Sequence, residues 1–506
     1  MSDASDLRGA DQPHWSITEG GLLRPVFHLA WPIVVIQLLQ VTYNVVDTLY
    51  LGRLSADAVG AISLAFPLIF LLIAVAGGFT AAGAILVAQY TGAAGHQTAG
   101  KVAGQTVSFV AIVSVVIGAV GYLYTRPALE VLPSDEATAE SVVPLAADYM
   151  EIIFLGIPLM FGFFVFAAIM RGYGDTRTPM LVMVSSVVAN VVLDPFFIFG
   201  FEGNPLLGWL GVLPAVDGVA VEAWLYGLTG FAGWGIEGAA LASIGARGLA
   251  AVIGLYLLFL TDVGPAVTLG HLRPDLGLIR DILRLGVPTT VEQSTGALAM
   301  ITLTAMVVTF SPPVVAAYGL GNRIVSVVML PAMGLGRAMD TVVGQNLGAG
   351  KSARAARAVW LTVSVGAGVM LLAAVVAATA TEPIVSVFLG DVPDAPETVA
   401  HGVEYVRIRS VEFTFIGVSQ VILGAFRGAG NTATAMTISV SSMWLGAVTS
   451  VYLLVFVLEW GTTGIWVGMA VGNVLGAVMG VAWFSRGTWT EAYIDDTTTK
   501  TTPAEE

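Results

Sequence analysis

"MRGYGDTRTPM", residues 170 to 180, returns as "FRGAGNTATAM" at 426 to 436, and its arginines stand 256 residues apart (427 − 171 = 256). The same offset joins "VAQYTGAAG" (87–95) to "VGQNLGAGK" (343–351), through Gln89 and Gln345. It also joins "RPVFHLAWP" (24–32) to "RDILRLGVP" (280–288), through Pro32 and Pro288. One offset held at three distant sites marks a duplicated unit. The offset changes only late, where "GI" at 235–236 matches "GI" at 464–465, a difference of 229. About 27 extra residues (256 − 229) therefore sit in the first copy. The segment "GFEGNPLLGWLGVLPAVDGVAVEAWLYGLTGFAGWG" holds them, and it is expected to form an extracellular cap or interfacial loop.

What is duplicated is a set of membrane spans. The 506 residues are 56% hydrophobic and 11% charged, with mean hydropathy +0.84, whereas soluble domains carry about 25% charged residues. Apolar runs long enough for a hydrocarbon layer about 30 Å thick recur along the whole chain. They fall near 24–50, 57–82, 99–124, 141–170, 178–200, 236–261, 280–308, 314–338, 356–379, 397–426, 433–458 and 462–484. Runs of this length call for helices, because a closed barrel would show short alternating segments instead. Each copy holds six spans, an even number, so both enter from the same side as parallel repeats about an axis along the membrane normal. The expected fold is all-α and integral to the membrane, with no room for a sizeable soluble domain.

Basic residues set the orientation. The tails and even-numbered connections hold Arg8, Arg24, Lys101, Arg171, Arg177, Arg273, Arg280, Arg284, Lys351, Arg354, Arg357, Arg427, Arg486 and Lys500. Odd-numbered connections hold only Arg53 and Arg126, and acids such as Asp135, Glu136, Asp391, Asp394 and Glu397 gather there. Both termini are expected in the cytoplasm. The resulting division is a tail 1–23, a first lobe 24–262 with an extracellular insertion near 201–235, a linker 263–279, a second lobe 280–485 and a tail 486–506. The N-terminal stretch lacks the short apolar core and cleavage site of a signal peptide. The polar, acidic end reads as disordered.

A net charge of −14 and a pI near 4.7 argue against a nucleic-acid partner. The absence of cysteine removes disulfide and thiolate chemistry. An acidic, lysine-poor, cysteine-free composition resembles that of proteins from salt-adapted cells.

The two copies also act as an internal control. In "NVVLDPFFIFG" (190–200), Asn190 and Asp194 share one helix face, and Pro195 leaves the Val191 carbonyl without its usual donor. At the 256-residue offset Asp47, Asn190 and Asp194 correspond to Leu303, Gly446 and Ser450. A requirement of the fold alone would appear in both copies, so the acids point to a task of the first one. A buried carboxylate costs at least about 2.5–3.5 kcal/mol near the bilayer centre. Two in one low-dielectric pocket disfavour each other's ionisation, and can share a proton or exchange it for a small cation. Pro32 similarly frees the His28 carbonyl below Asp47; it occurs in both copies and reads first as a packing kink, with a hinge role second.

With these residues in view, the chain resembles the multidrug and toxic compound extrusion family over residues 24 to 484. The resemblance rests on the 6 + 6 repeat, "VVDTLYLGRLSADAVGA", "GQNLGAGK", "RGYGDTRTPM" and "FRGAGNTATAM". It looks most like the bacterial and archaeal branch with an acidic site in the first lobe. The resemblance implies two six-helix lobes around a V-shaped central cavity that opens alternately to each side. It implies export of small organic cations against inward H+ or Na+, from the cell membrane, by a monomer without other cofactors. It places ion coupling at Asp47 and Asp194, completed by Asn190 and by Ser243 on the sixth span, with Na+ as one candidate ion at Asp47, Asn190 and Asp194. Gln40, Tyr43 and Tyr149 would line the substrate cavity, and Pro32 and Pro195 would serve as hinges.

Other charges inside the spans, including Arg247, Arg323, Arg337, Arg407, Arg409, Asp340, Glu404 and Glu412, read as neutralised pairs or interfacial residues. Arg337 with Asp340 and Arg409 with Glu412 are spaced to pair. Glu292, four residues after Pro288, stands apart because relatives with a second-lobe cation site use an acid on that span. The alternative function is a lipid-linked oligosaccharide flippase, which would line its cavity with basic residues. An enzyme or receptor is disfavoured, since five histidines show no metal spacing and no nucleophile–base set occurs.

Overall fold

The computed structural model describes residues 17–130, 136–210, 218–389 and 395–494. Arg8, Asp135, Asp391, Asp394, Lys500 and most of both expected tails lie outside them. The first half contributes α1 (Leu23–Leu54), α2 (Ala56–Gly92), α3 (His96–Glu130), α4 (Glu136–Tyr173) and α5 (Arg177–Phe199). Two short helices follow, α6 (Pro205–Leu210) and α7 (Gly218–Thr229), and then α8 (Gly235–Leu260). The second half contributes α9 (Leu276–Val307), α10 (Pro312–Gly348), α11 (Ser352–Thr379), α12 (Thr381–Leu389), α13 (Ala395–Ser410) and α14 (Phe413–Gly428). It ends with α15 (Thr432–Val457) and α16 (Gly461–Phe484). Counting α13 with α14 as one pass, these give the twelve long helices of a two-lobe, all-helical membrane protein.

Helix starts follow local chemistry. The Ser55 hydroxyl accepts from the Ala58 amide at 3.0 Å ahead of α2, and the Asp275 carboxylate accepts from Gly277 and Leu278 at 2.9 and 3.3 Å ahead of α9. In the repeated motif, Asp175 accepts from the amides of Arg177 and Thr178 at 2.9 and 3.1 Å and starts α5.

Eleven passes are apolar enough to cross a bilayer when the bent pair counts as one. The twelfth is α9, whose apolar run is broken by Arg280, Asp281, Arg284 and Glu292. Two helices run past their apolar windows. The expected ends at 82 and 338 lie at Gly92 and Gly348 instead. Their last turns carry polar residues, Gln89 and Gln345, because each is buried by the other lobe rather than by lipid. The tenth pass bends by 49° between α13 and α14, with the Arg409–Glu412 ion pair across the break. α15 loosens into π-helix over Ser441–Val448 and Leu453–Val457.

The lobes meet along the halves of α1, α2, α9 and α10 nearest the chain ends. A Cβ on Gly78 would lie 2.6 Å from the Thr290 Cα, and one on Gly334 would lie 3.0 Å from the Ala30 carbonyl oxygen. The closest approaches come as a symmetric pair. A Cβ on Gly92 would lie 2.0 Å from the Gln345 oxygen, and one on Gly348 would lie 2.0 Å from the Gln89 oxygen. Hydrogen bonds cross in the same way. The Gln89 side chain donates to the Gly428 carbonyl at 3.0 Å, and the Gln345 side chain donates to the Gly172 carbonyl at 3.0 Å. Gln89 and Gln345, Gly92 and Gly348, and Gly172 and Gly428 are equivalent under the 256-residue repeat. The first and last described segments cover this face, where Ile17, Trp489 and Ile494 share a core with Val343, Leu347 and Ala425. Toward the opposite end, Val45 and Leu49 of α1 and Leu298 and Ile301 of α9 are exposed.

Candidate ion-coupling site

Three helices of the first lobe each bring a pair of residues four apart to one place: Tyr43 and Asp47 from α1, Asn190 and Asp194 from α5, Ser243 and Arg247 from α8. All six are buried, Asn190 and Asp194 completely. The Ser243 hydroxyl donates to Asp47 Oδ2 at 3.3 Å. The Tyr43 hydroxyl donates to the Ser243 carbonyl at 3.1 Å, and Asn190 Nδ2 donates to Asp194 Oδ1 at 2.9 Å. The two carboxyl groups lie close enough for each to act on the other's charge, with Asn190 beside them.

Three oxygens remain buried without a hydrogen-bond partner: Asp47 Oδ1, Asp194 Oδ2 and Asn190 Oδ1. Ionised carboxylates only accept, so two of them this close need a proton between them or a small cation. Among the described residues no group of three or more His, Cys, Asp or Glu forms a metal cluster. The site's chemistry is that of two carboxyls and an amide.

The prolines have specific partners. The Asn204 side chain donates to the carbonyls of Pro195 and Gly200 at 3.0 and 2.7 Å, closing the end of α5 just beyond Asp194. The His28 carbonyl, four residues before Pro32, accepts from the Thr176 hydroxyl at 3.4 Å.

Arg247 differs from its expected role as a neutralised pair or interfacial residue. It is 3% exposed, and its contacts are an amide, a thioether and aromatic rings. One guanidinium nitrogen donates to Gln40 Oε1 and another lies 3.5 Å from Met183 Sδ. The guanidinium carbon lies 4.8 Å from the Tyr43 ring centroid and 5.8 and 5.7 Å from Phe163 and Phe164. Its charge acts on Asp47. The available signal was its position one turn after Ser243. Gln40 thus serves to hold Arg247. Tyr149 is buried against the cluster, at Ser243. Replacing Arg247 by Gln removes a positive charge close to Asp47. It is expected to tighten cation binding on the order of fivefold, the lower end of ordinary coupling between sites, as measured by equilibrium binding of a fluorescent organic cation.

In the second lobe the buried acids Glu292 and Asp340 are paired with arginines, although Glu292 Oε2 has no hydrogen-bond partner. Arg427 donates to Glu292 Oε1 at 2.8 Å and to Asp340 Oδ1 at 3.4 Å, and Arg337 lies 3.8 Å from Asp340. Glu292 therefore sits in a buried ion pair.

A family model, MatE, matches residues 32–196 and again residues 288–452. The chain belongs to the MatE family. Both ends of the two matches are 256 residues apart, the offset of the internal repeat. The chain is 28% identical over 446 residues to "Probable multidrug resistance protein YoeA" of Bacillus subtilis, covering 86% of this chain and 88% of that protein. It is 25% identical over 476 residues to "Probable multidrug resistance protein YpnP" of the same species, covering 94% and 97%. Among solved structures, a MOP superfamily transporter from Pyrococcus furiosus superposes with a TM-score of 0.81 at 22% identity, covering 93% of this chain and 97% of that one.

Within this MatE chain the second lobe shows what the fold does without the acids. Asp47 corresponds to Leu303, which is 4% exposed in an apolar core. Asn190 corresponds to Gly446, and Ser243, at the later offset of 229, to Gly472. A Cβ on Gly446 would lie 2.7 Å from the Gly472 Cα. Helix contact fills the space that the first lobe gives to polar side chains.

Proposed function

We propose that this chain is a secondary antiporter of the cell membrane that exports organic cations in exchange for inward H+ or Na+, coupled through Asp47 and Asp194. The observation that carries the reading is the buried pair of carboxyls, Asp47 and Asp194, with three unpartnered oxygens at the site and, among the described residues, no salt bridge to an arginine, unlike Glu292 and Asp340 of the second lobe. An acid pair in a membrane is costly, and the duplicate lobe folds with Leu303, Gly446 and Ser450 at the matching positions. Two relatives named as multidrug resistance proteins support the substrate class.

The basic residues at the end of the bundle that carries the chain termini assign that end to the cytoplasm. The lobes meet there, so on this reading the cytoplasmic end is the closed one. Entry of an ion between Asp47, Asn190 and Asp194 draws α1 and α5 together and displaces the organic cation. Linkage then requires each ligand to weaken the other equally. Arg427 and Arg337 of the second lobe are engaged by Glu292 and Asp340, which leaves less for a pyrophosphate and favours efflux over lipid-linked oligosaccharide flipping.

The test is efflux from proteoliposomes under a pure pH gradient and then under a pure sodium gradient. One of them is expected to drive export of an organic cation, and that one identifies the coupling ion. Export driven by neither removes the antiport reading.

A further inference from the structure

Between α5 and α8 the first half carries the extra residues that the second half lacks; residues 211–217 lie outside the described ones, and the described ones include α6 and α7, two short helices in contact, called the hairpin below. Its polarity is inverted relative to a helix pair in water. On α7 the exposed residues up to its last, Thr229, are Val219, Ala220, Ala223, Trp224, Gly227 and Leu228, a single stripe with no polar member. Val219 is 73% exposed, Trp224 65%, Leu228 65%, and Trp209 on α6 69%. The charged side chain of α7, Glu222, lies off this stripe, half-buried, and accepts from the Gly203 amide, and Thr229 at the end of the helix is polar and exposed.

We propose that this hairpin beds its apolar stripe in the adjoining lipid leaflet, at the boundary between headgroups and acyl chains. On this reading the stripe extends the apolar exterior of the spans beside it. α5 and α8, from whose ends the hairpin springs, expose Val188, Val192, Leu249 and Val252. Tryptophan favours this boundary in membrane proteins. Residues 201–235 contain no lysine or arginine, so the attachment works by apolar burial and not by attraction to anionic headgroups. It also bears on the helix of Asp194. Asn204, at the foot of the hairpin, holds the Pro195 and Gly200 carbonyls. The inference is independent of the coupling ion and of the transported substrate.

Because the chain has no cysteine, one introduced cysteine gives one nitroxide label. Val219→Cys, Ala223→Cys and Leu228→Cys would be labelled singly in the full chain, in phosphatidylcholine vesicles. Collision with oxygen, which partitions into lipid, would be compared with collision with a water-soluble nickel chelate. Oxygen is expected to dominate several-fold at all three positions, unchanged when anionic lipid is added. Chelate collisions equal to those of oxygen would make the hairpin a water-exposed flap and overturn the proposal. Spin–spin broadening with neither reagent reaching the label would make it a contact between two copies, and overturn it too. A readout without cysteines comes from lipids brominated near the headgroup end. They are expected to quench the full chain more than its Trp209→Phe, Trp224→Phe variant, and equal quenching counts against lipid contact.

Discussion

Asp47→Asn and Asp194→Asn are each expected to reduce ion-driven efflux to the level of empty vesicles while leaving the protein folded. Asparagine keeps the size and most of the hydrogen bonds of aspartate but cannot give up a proton or balance a cation. The structural cost of the change is small or reversed, because a carboxylate near the bilayer centre costs at least about 2.5–3.5 kcal/mol. Thermal stability in detergent is therefore expected to hold or rise as transport disappears. A merely structural acid would show the opposite, with stability falling and residual transport in proportion to folded protein. Ser243→Ala removes one 3.3 Å hydrogen bond to Asp47 and serves as the milder neighbour. Full-rate pumping by both asparagine variants would end the coupling proposal.

The second large effect is expected at the closed end of the bundle. In Gly92→Ala the new Cβ would meet the Gln345 carbonyl oxygen at 2.0 Å, and in Gly348→Ala it would meet that of Gln89 at 2.0 Å. Neither obstacle is a flexible side-chain tip, and packed interiors resist such overlap. The helices have to part by about 1.4 Å or more to restore ordinary contact distances (3.4 − 2.0 = 1.4). The double variant is expected to lose transport tenfold or more and to leave the termini end ajar. Alkylation of an added Ala88→Cys, completely buried against Gly344 in the native chain, measures this directly. Its rate is expected to rise with each alanine. An unchanged rate with normal transport would mean the contact is not part of the closed state.

The repeat, the passes and the suspect acids were legible because each leaves a one-dimensional mark: a fixed offset, a long apolar run, a charge where lipid forbids one. The duplicate copy sharpened the acids further, since Leu303 and Gly446 show what the same backbone needs for packing alone. The partners of Arg247 were not legible, since they depend on how α1 and α8 cross, and sequence spacing constrains contacts only within a helix. Nor were the true ends of α2 and α10. Gln89 and Gln345 look like the start of a loop until the opposite lobe is present to bury them. The 49° bend beside Arg409 and the π-helical turns of α15 likewise arise from packing between helices.

The crossed glutamine bonds have the signature of an isologous contact, in which each partner offers the other the same two groups. A pair of separate six-helix chains would bind each other in this way about a two-fold axis. The single chain thus keeps, as an internal seam, what a symmetric dimer would have as its subunit boundary. Fusion makes the two sides separately mutable, and only then can one side carry acids while the other closes over with leucine and glycine.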